Sequence, residues 1–546
     1  MPVSVYDKKY LIRVLGYQLD DKRLEHDINA LGLNVKRVDA REVEVEYNAN
    51  RPDVISAVGL ARALKYFARK RRSFVFKVLP AEKNFEITVG AEAAKVRPFI
   101  AALAVNGLKL DEDALKDMIS FTDKLSETYG RKRAKIAIGL HDLRNVAPPF
   151  TYDAFGDEEF VPLNRTSKMR YSAVLEKEEK GRAYGALLGT SARRYVALKD
   201  TKGTMALVPI INSERTRVTR ATKDMIIDIT GSSKFVLEKV ADMLAANFID
   251  MGCEVHQVAV SYGKRRYLLP AMKAWTISVP VDQMEREIGV KIGFGNVVVL
   301  GNKMGYEAAG LGKGVRFAVP AYRLDVINDQ DVIEDVAIAY GYDYIRPAAL
   351  PAMSAGSLEE RSKYLESVSD AMVGLGFSEE LGSYLTNEDV NFKRMLTRPA
   401  GAITLANPKT SVATMFRTWL VPSLLRDIAA SMHDGLPQRI FEADMAFEMD
   451  GKKPVEKYHL AAAVCDAKVN FNDMKAIFEA FARAMRLECT VEKGSHASFI
   501  EGRCANVLAG KKRIGFLGEI HPEVLANFGI EEPVLAMEID LGKIGV

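Results

Sequence analysis

Apolar positions along the chain recur with a period of about 3.6 residues in some stretches and of two in others, and the period switches many times over 546 residues. In the first stretch, Tyr10–Leu15 reads as a strand, Asp20–Leu33 as an amphipathic helix and Glu42–Tyr47 as an alternating strand. Asn50-Arg51-Pro52-Asp53 punctuates it as a turn. Asp53 is the expected N-cap of a helix over Val54–Arg69, its carboxylate accepting the free N–H groups of the first turn. Strands are expected at Phe99–Val105, Ala134–Ile138, Ala183–Leu188 and Met225–Ile229, and helices at Leu110–Tyr129 and Lys234–Met251. A helix over Asp329–Tyr340 precedes residues 350–358, LPAMSAGSL, whose small and turn-forming residues read as a linker. Beyond it come a helix at Leu358–Leu375 and strands at Ala402–Leu405, Arg439–Phe447 and Leu460–Val464. There is no internal repeat and no low-complexity tract.

This pattern implies an α+β multidomain chain, since its length exceeds what one hydrophobic core supports. Four parts are expected: an N-terminal module at 1–78, a mixed domain at 84–262, a small domain at 267–348 and a C-terminal domain at 358–546. Hydrophobic residues at 48% and charged residues at 27% exclude a disordered or fibrous chain. No apolar run approaches the roughly 20 residues that span a bilayer, so no membrane association is expected. The first residues, MPVSVYDKKYLIRV, lack the charged-apolar-small order of a secretory signal. Cys253, Cys465, Cys489 and Cys504 are scattered without CxxC spacing, which speaks against a disulfide framework and a zinc site. A reducing, cytoplasmic location is the expectation.

A net charge of +4 is small for this length, so charge alone does not mark a nucleic-acid binder. The cations nevertheless cluster at Arg69-Lys70-Arg71-Arg72, Arg131-Lys132-Arg133 and Lys264-Arg265-Arg266. Each cluster fits either a solvated face or phosphate contact, where clustered cations gain affinity by releasing counterions.

The segment richest in chemistry is 320–343, PAYRLDVINDQDVIEDVAIAYGYD. On a helix starting near Asp329, the carboxylates of Asp331, Glu334 and Asp335 fall at i, i+3 and i+4 and share a face. Asp325 stands just upstream, at the end of an expected strand. Two readings stand on spacing alone: acidic residues complementing a helix dipole, or oxygen ligands around a cation, for which magnesium is the chemical match.

The pattern Tyr322-Arg323-x-Asp325, then Asp331-x-x-Glu334-Asp335 and Ala337-x-x-Tyr340-Gly341-Tyr342, resembles the acidic motif of phenylalanyl-tRNA synthetase beta subunits of the archaeal and eukaryotic type. The resemblance is collinear. Asn50 to Ser56 with Gly59 to Ala63 is similar to that family's N-terminal module. Gly130 to Leu143, Pro209 to Thr216 and Asp228 to Gly231 are similar to its editing-type α/β domain. Leu385 to Glu388, Asn407-Pro408, Arg417 to Leu425, Phe441-Glu442 and Gly515 to Glu523 are similar to its class II synthetase-like antiparallel-sheet domain.

The resemblance implies a beta subunit of the ligase that attaches phenylalanine to tRNA(Phe) using ATP. It implies an alpha subunit as partner in a heterotetramer of two alpha and two beta chains. It also implies Mg2+ at Asp325, Asp331, Glu334 and Asp335, and proofreading by hydrolysis of tyrosyl-tRNA. For proofreading, Asp228 and Thr230 alternate along a strand and so point to one side, with Asn212 as a third candidate. Polar residues capping a strand end are the other reading. Ala206 stands where the family commonly has a serine, and Ser126 where it often has a histidine. His141-Asp142 has no nucleophile or metal spacing beside it, so His141 is expected to be a satisfied structural histidine.

No residue is expected to catalyse activation. The nearest match to the ATP-holding Phe-Arg-x-Glu of class II synthetases is Phe416-Arg417-Thr418-Trp419, without the glutamate. The nearest glycine-rich candidate, Gly515 to Ile520, lacks the arginine that contacts phosphate. Two other functions remain open: a free-standing hydrolase of mischarged tRNA, or a scaffold that binds nucleic acid without chemistry.

Overall fold

A computed structural model describes residues 3–71, 75–188, 194–349 and 355–544. Arg72 of the first basic cluster and residues 350–354 of the expected linker lie outside them. The chain divides into two compact units, 1–349 and 350–546. The mixed α and β multidomain character is as expected.

The first unit holds three sheets, and the largest includes Arg265–Leu269, across the boundary expected between 262 and 267. A three-stranded sheet places Glu42–Glu46 between Val3–Asp7 and Asn34–Val38. A ten-stranded mixed sheet follows, in which Met225–Gly231 pairs antiparallel with Phe99–Asn106 on one side and Ile136–Asp142 on the other. A second three-stranded sheet has Gly314–Val319 at its centre. One continuous core runs from Tyr6 through Leu103, Ile227 and Leu244 to Ala339, and a second core covers the other face of the large sheet. The Lys234–Asp250 helix buries Leu237, Val240, Met243, Leu244 and Phe248. Each such side chain contributes about 1.5–3 kcal/mol.

Arg62 shows how the three parts are joined. It is fully buried, donates to Asp250 at 2.9 Å and lies 4.2 Å above the ring of Tyr322. One guanidinium thus ties the Ala57–Phe67 helix to the end of the long central helix and to the small region beyond residue 267.

Several expected elements differ. Tyr10–Leu15 is not a strand but part of a helix, Lys8–Leu15, because Asp7 accepts the Tyr10 N–H at 2.7 Å and caps it. Ala183–Leu188 is the end of one helix and a 3-10 turn. Asp53 is not the N-cap of the third helix. It forms a two-point ion pair with Arg51 (2.9 and 3.0 Å), and Ser56 caps Ala57–Phe67 by accepting the Gly59 N–H at 3.0 Å. Ala402–Leu405 forms no strand; Thr404 makes a single bridge to Met415.

The second unit is a seven-stranded sheet, antiparallel except where the edge strand Ser378–Glu379 runs parallel to Gln438–Asp450. Along Lys453–Cys465, Leu460, Ala462 and Val464 face one core, and Ala461, Ala463 and Cys465 face the other. Side chains of the helices Glu360–Gly374 and Phe471–Ala484 fill the first, and those of Val421–Ala430 and Pro522–Phe528 fill the second.

Candidate functional site

Strand register in the large sheet places the three expected proofreading residues together. Asp228 pairs with Gly139, Thr230 with Ala137 and Ile226 with His141, so these six positions share one face. Asn212 follows the turn at Pro209 and pairs with Ala206, and its Nδ2 donates to the Leu140 carbonyl at 3.2 Å. Asp228, Thr230 and Asn212 line one cavity of about 340 Å³. Gly139 is required there. A Cβ on it would lie 2.2 Å from Asp228 Oδ1 and 3.0 Å from His141 Nε2.

The donors and acceptors around this face fix what it offers. His141 is sealed from solvent, with Nε2 2.8 Å from Asp228 Oδ1 and Nδ1 2.8 Å from Thr216 Oγ1. It is a satisfied histidine, as expected, but its partner is a candidate site residue. Arg97 is 3% exposed, and burial pushes its guanidinium down to about 10. It donates to Thr230 Oγ1 at 3.0 Å and to the Thr230 carbonyl at 2.6 Å. Because Thr230 Oγ1 already accepts, its own hydrogen is free to donate into the cavity. Asp228 Oδ2 has no hydrogen-bond partner among the described residues. A carboxylate acceptor and a hydroxyl donor therefore stand two positions apart on one strand.

Arg97 and the Asp228 link of His141 were not foreseen. Both depend on strand pairing across long stretches of sequence, and only the buried His in an apolar run gave a signal. Arg133 was legible only as part of a basic cluster. It closes the cavity wall by donating to the carbonyls of Pro209 and Ile210, each at 3.1 Å, with its guanidinium 4.8 Å from the Tyr184 ring centre. Of the two departures, Ala206 lines the cavity, whereas Ser126 is buried in its helix and donates to the Thr122 carbonyl at 2.8 Å.

The four acidic residues Asp325, Asp331, Glu334 and Asp335 border a hollow of about 30 Å³ together with Asn48, Asn50 and Arg51. Three of them lie on the helix Asp329–Tyr340, which has the bounds expected and starts with a reciprocal cap between Asn328 and Asp331. Two of the four carboxylates share one buried cation. Buried Arg323 donates to both oxygens of Asp325 (2.9 and 2.7 Å) and to Asp335 at 2.6 Å, and Tyr306 donates to the same Asp335 oxygen. Asp331 Oδ2 accepts the N–H groups of Ile327 and Asn328 at 2.6 and 2.9 Å. Glu334 has no hydrogen bond or ion pair among the described residues. Partial burial, then Asp335, Asp331 and Asp325, hold its carboxyl above the usual carboxylate range. No group of three or more such side chains converges on one point among the described residues. The chemistry of the set nonetheless fits a hard cation: all donors are oxygen, and Arg323 leaves negative charge in excess.

In the second unit, the positions nearest to ATP-holding motifs are committed to packing. Arg417 is completely buried, donating to Glu442 at 2.7 Å and to the Met445 carbonyl at 2.9 Å. Trp419 donates to the Asn391 carbonyl at 3.0 Å and packs edge-on to Phe516. Gly515 and Gly518 sit within the Lys512–Ile520 strand, where a Cβ would meet the Glu538 and Arg503 carbonyls at 2.1 and 2.4 Å. These glycines serve close strand approach, not a phosphate loop. Among the described residues, no helix is long and apolar enough to cross a membrane.

With this geometry in hand, comparison with known proteins is specific. Residues 277–342 match the tRNA synthetase B5 domain, and residues 347–541 match the phenylalanyl tRNA synthetase beta chain CLM domain. These matches put the chain in the class of tRNA synthetase subunits. The phenylalanine–tRNA ligase beta subunit of Methanocaldococcus jannaschii is 31% identical over 99% of this chain and 100% of its own length. That of Archaeoglobus fulgidus is 33% identical over 99% and 98%, and that of Pyrococcus horikoshii 35% identical over 90% of each. A solved N-terminal fragment of the Pyrococcus horikoshii phenylalanyl-tRNA synthetase beta subunit superposes with a TM-score of 0.59 at 31% identity, covering 62% of this chain and all of the fragment. The chain belongs to the phenylalanine–tRNA ligase beta-subunit family.

Proposed function

We propose that this chain acts within a ligase of two alpha and two beta subunits that joins phenylalanine to tRNA(Phe) using ATP, and that its own chemistry is proofreading. Activation falls to the alpha subunit, because Arg417 and Trp419 are committed to internal partners. The observation that carries the proofreading reading is the convergence of Asp228, Thr230 and Asn212 on one cavity. A phenolic hydroxyl is both donor and acceptor. The free Thr230 hydrogen donates to it and Asp228 accepts from it. A phenylalanyl group leaves both unpartnered, and a site built to bond a hydroxyl rejects the analogue lacking it strongly. Hydrolysis then adds water across the aminoacyl ester and releases tyrosine and tRNA with a free terminal hydroxyl.

Asp331 and Glu334, with Asp325 and Asp335, are the residues that would hold Mg2+. Bound there, the ion would neutralise the excess carboxylate charge beside Arg323 and stiffen the N-terminal turn of the Asp329–Tyr340 helix.

The test is expression of the chain with and without its alpha partner, followed by aminoacylation and deacylation assays. The reading requires ligation only from the pair, and hydrolysis of tyrosyl-tRNA that falls sharply in Asp228→Asn and Thr230→Val. Ligation by this chain alone would overturn the assignment of activation. Stable tyrosyl-tRNA in the presence of the whole enzyme would overturn proofreading.

A further inference from the structure

The turn Gly130–Lys135 is the most strained cationic feature among the described residues. Arg131, Lys132 and Arg133 have φ of 50, 51 and 65°, three successive non-glycine residues in the left-handed region. Each such residue costs of order 1 kcal/mol, and such outliers persist only where the surroundings enforce them. Here they are enforced by a closed set of backbone bonds: Gly130 N to Leu125 O, Lys132 N to Glu127 O, Arg133 N to Ser126 O and Lys135 N to Gly130 O, at 2.7 to 2.9 Å. A Cβ on Gly130 would lie 2.3 Å from the Ser126 carbonyl. The turn is therefore a rigid platform.

Its cations divide into two groups. Arg133 is anchored in the wall of the Asp228 cavity. Arg131, Lys132 and Lys135 make no side-chain hydrogen bond or ion pair among the described residues, whereas Arg133 in the same turn pairs with Asp123 and Glu127 at 3.5 Å. Arg131 and Lys135 line a second cavity, of about 280 Å³, whose wall includes the half-buried ring of Tyr129 and the apolar side chains of Pro52, Ile55 and Val236. One five-residue stretch thus borders both cavities.

We propose that this turn and the Tyr129 cavity form the seat of a single-stranded RNA segment, the 3′ end of the tRNA, and lead its aminoacyl terminus to the Asp228 cavity. The inference rests on the proofreading reading for the identity of the strand. The chemistry that recognises it is on the surface: unpaired cations for phosphates, and an aromatic and apolar recess for a base. An acidic protein segment would match the cations but leave the Tyr129 recess without a planar occupant.

The test uses the full chain assembled with its alpha partner, and the double variant Arg131→Asn/Lys132→Asn. Asparagine tolerates the left-handed backbone and removes only charge. Binding of tRNA, and of a single-stranded oligonucleotide of its 3′ end, should weaken about tenfold at low salt. The slope of log affinity against log salt should fall by about 1.4, at 0.7 per lost phosphate contact. KM for deacylation should rise with kcat unchanged, and Arg131→Lys/Lys132→Arg should restore binding. Lys135→Gln reports on the second cavity if the double variant does not fold. Binding and salt slope equal to those of the unsubstituted enzyme would overturn the proposal. So would loss of assembly with the alpha subunit while RNA binding is retained, which would assign the platform to a protein partner. Weakened RNA binding in an enzyme that never hydrolyses tyrosyl-tRNA would leave this seat standing and remove the proofreading reading.

Discussion

His141 Nε2 lies 2.8 Å from Asp228 Oδ1, between residues 87 positions apart in the chain, with the imidazole closed off from solvent. Thr216 holds the other ring nitrogen, so the imidazole has no freedom to turn away. Its consequence is a fixed Asp228: one oxygen is tied to the ring and the other is left for the cavity. His141→Ala should cost about 1–3 kcal/mol of stability, the desolvation left behind when a buried acceptor loses its donor. It should also depress tyrosyl-tRNA deacylation by freeing the carboxylate. Thermal unfolding and a deacylation assay read both, and wild-type values in each would rule the positioning role out.

The sequence made part of this site legible and hid the rest for a physical reason. That Asp228 and Thr230 share a face was legible because strand periodicity is local: two residues at i and i+2 lie on one side whatever the strand pairs with. The Asp329–Tyr340 helix was found because its cap and its acidic face are both local. Arg97, the partners of His141 and the place of Arg133 in the cavity wall escaped because each depends on register or loop contact with residues at least 75 positions away. Local errors had local causes. Tyr10–Leu15 has too few residues to separate the two periods, and the Asp7 cap decided it. Asp53 was assigned a cap that Ser56 makes, since an ion pair with Arg51 engages its carboxylate.

The Arg417–Glu442 pair offers a test of the claim that this arginine is structural. Arg417 is 0% and Glu442 1% exposed, so neither charge has water to fall back on. Burial raises the Glu442 carboxyl and Arg417 opposes that rise. Arg417→Met should destabilise the chain by about 3–5 kcal/mol, because it strands a buried acid. Arg417→Met/Glu442→Gln should recover much of that loss. A double-mutant cycle by thermal denaturation measures the coupling. Equal losses in the single and double variants would show that the pair does not hold the unit together.

Asp242 supplies a pH dependence. It is 3% exposed, and burial raises its carboxyl from 3.8 to about 6, although its oxygen accepts the N–H groups of Ala271 and Met272 at 3.0 and 2.9 Å. In the unfolded chain the group loses its proton near 3.8, and in the folded chain only near 6. Between those values the folded state binds more protons, so stability falls as pH rises, and the penalty is complete above about 6. It is on the order of 3 kcal/mol. Asp242→Asn keeps the acceptor oxygen and removes the charge. Its melting temperature should exceed that of the parent at pH 7.5 and match it near pH 3.5. A gap that does not close on acidification would show that the asparagine acts through packing.

The acidic hollow makes its own prediction, because its four carboxylates are not equivalent. Arg323 already bonds to both Asp325 and Asp335, and removing either would take one of two ion pairs from a fully buried guanidinium. Such variants would lose magnesium and fold together and so could not separate the two. Asp331 and Glu334 are different: Asp331 keeps Oδ1 free, and Glu334 has no internal partner among the described residues. Glu334→Gln should therefore lower bound magnesium in the assembled enzyme while leaving the melting temperature of the metal-free protein unchanged or higher, since it relieves repulsion from three neighbouring acids. Asp331→Ala should lower both, because it also removes the reciprocal half of the cap that Asn328 begins, at about 1 kcal/mol. Metal analysis after gel filtration, with melting in the presence of chelator, distinguishes the two effects. Unchanged magnesium stoichiometry in the Glu334→Gln/Asp331→Ala double variant would mean that the excess negative charge beside Arg323 serves the helix and holds no ion.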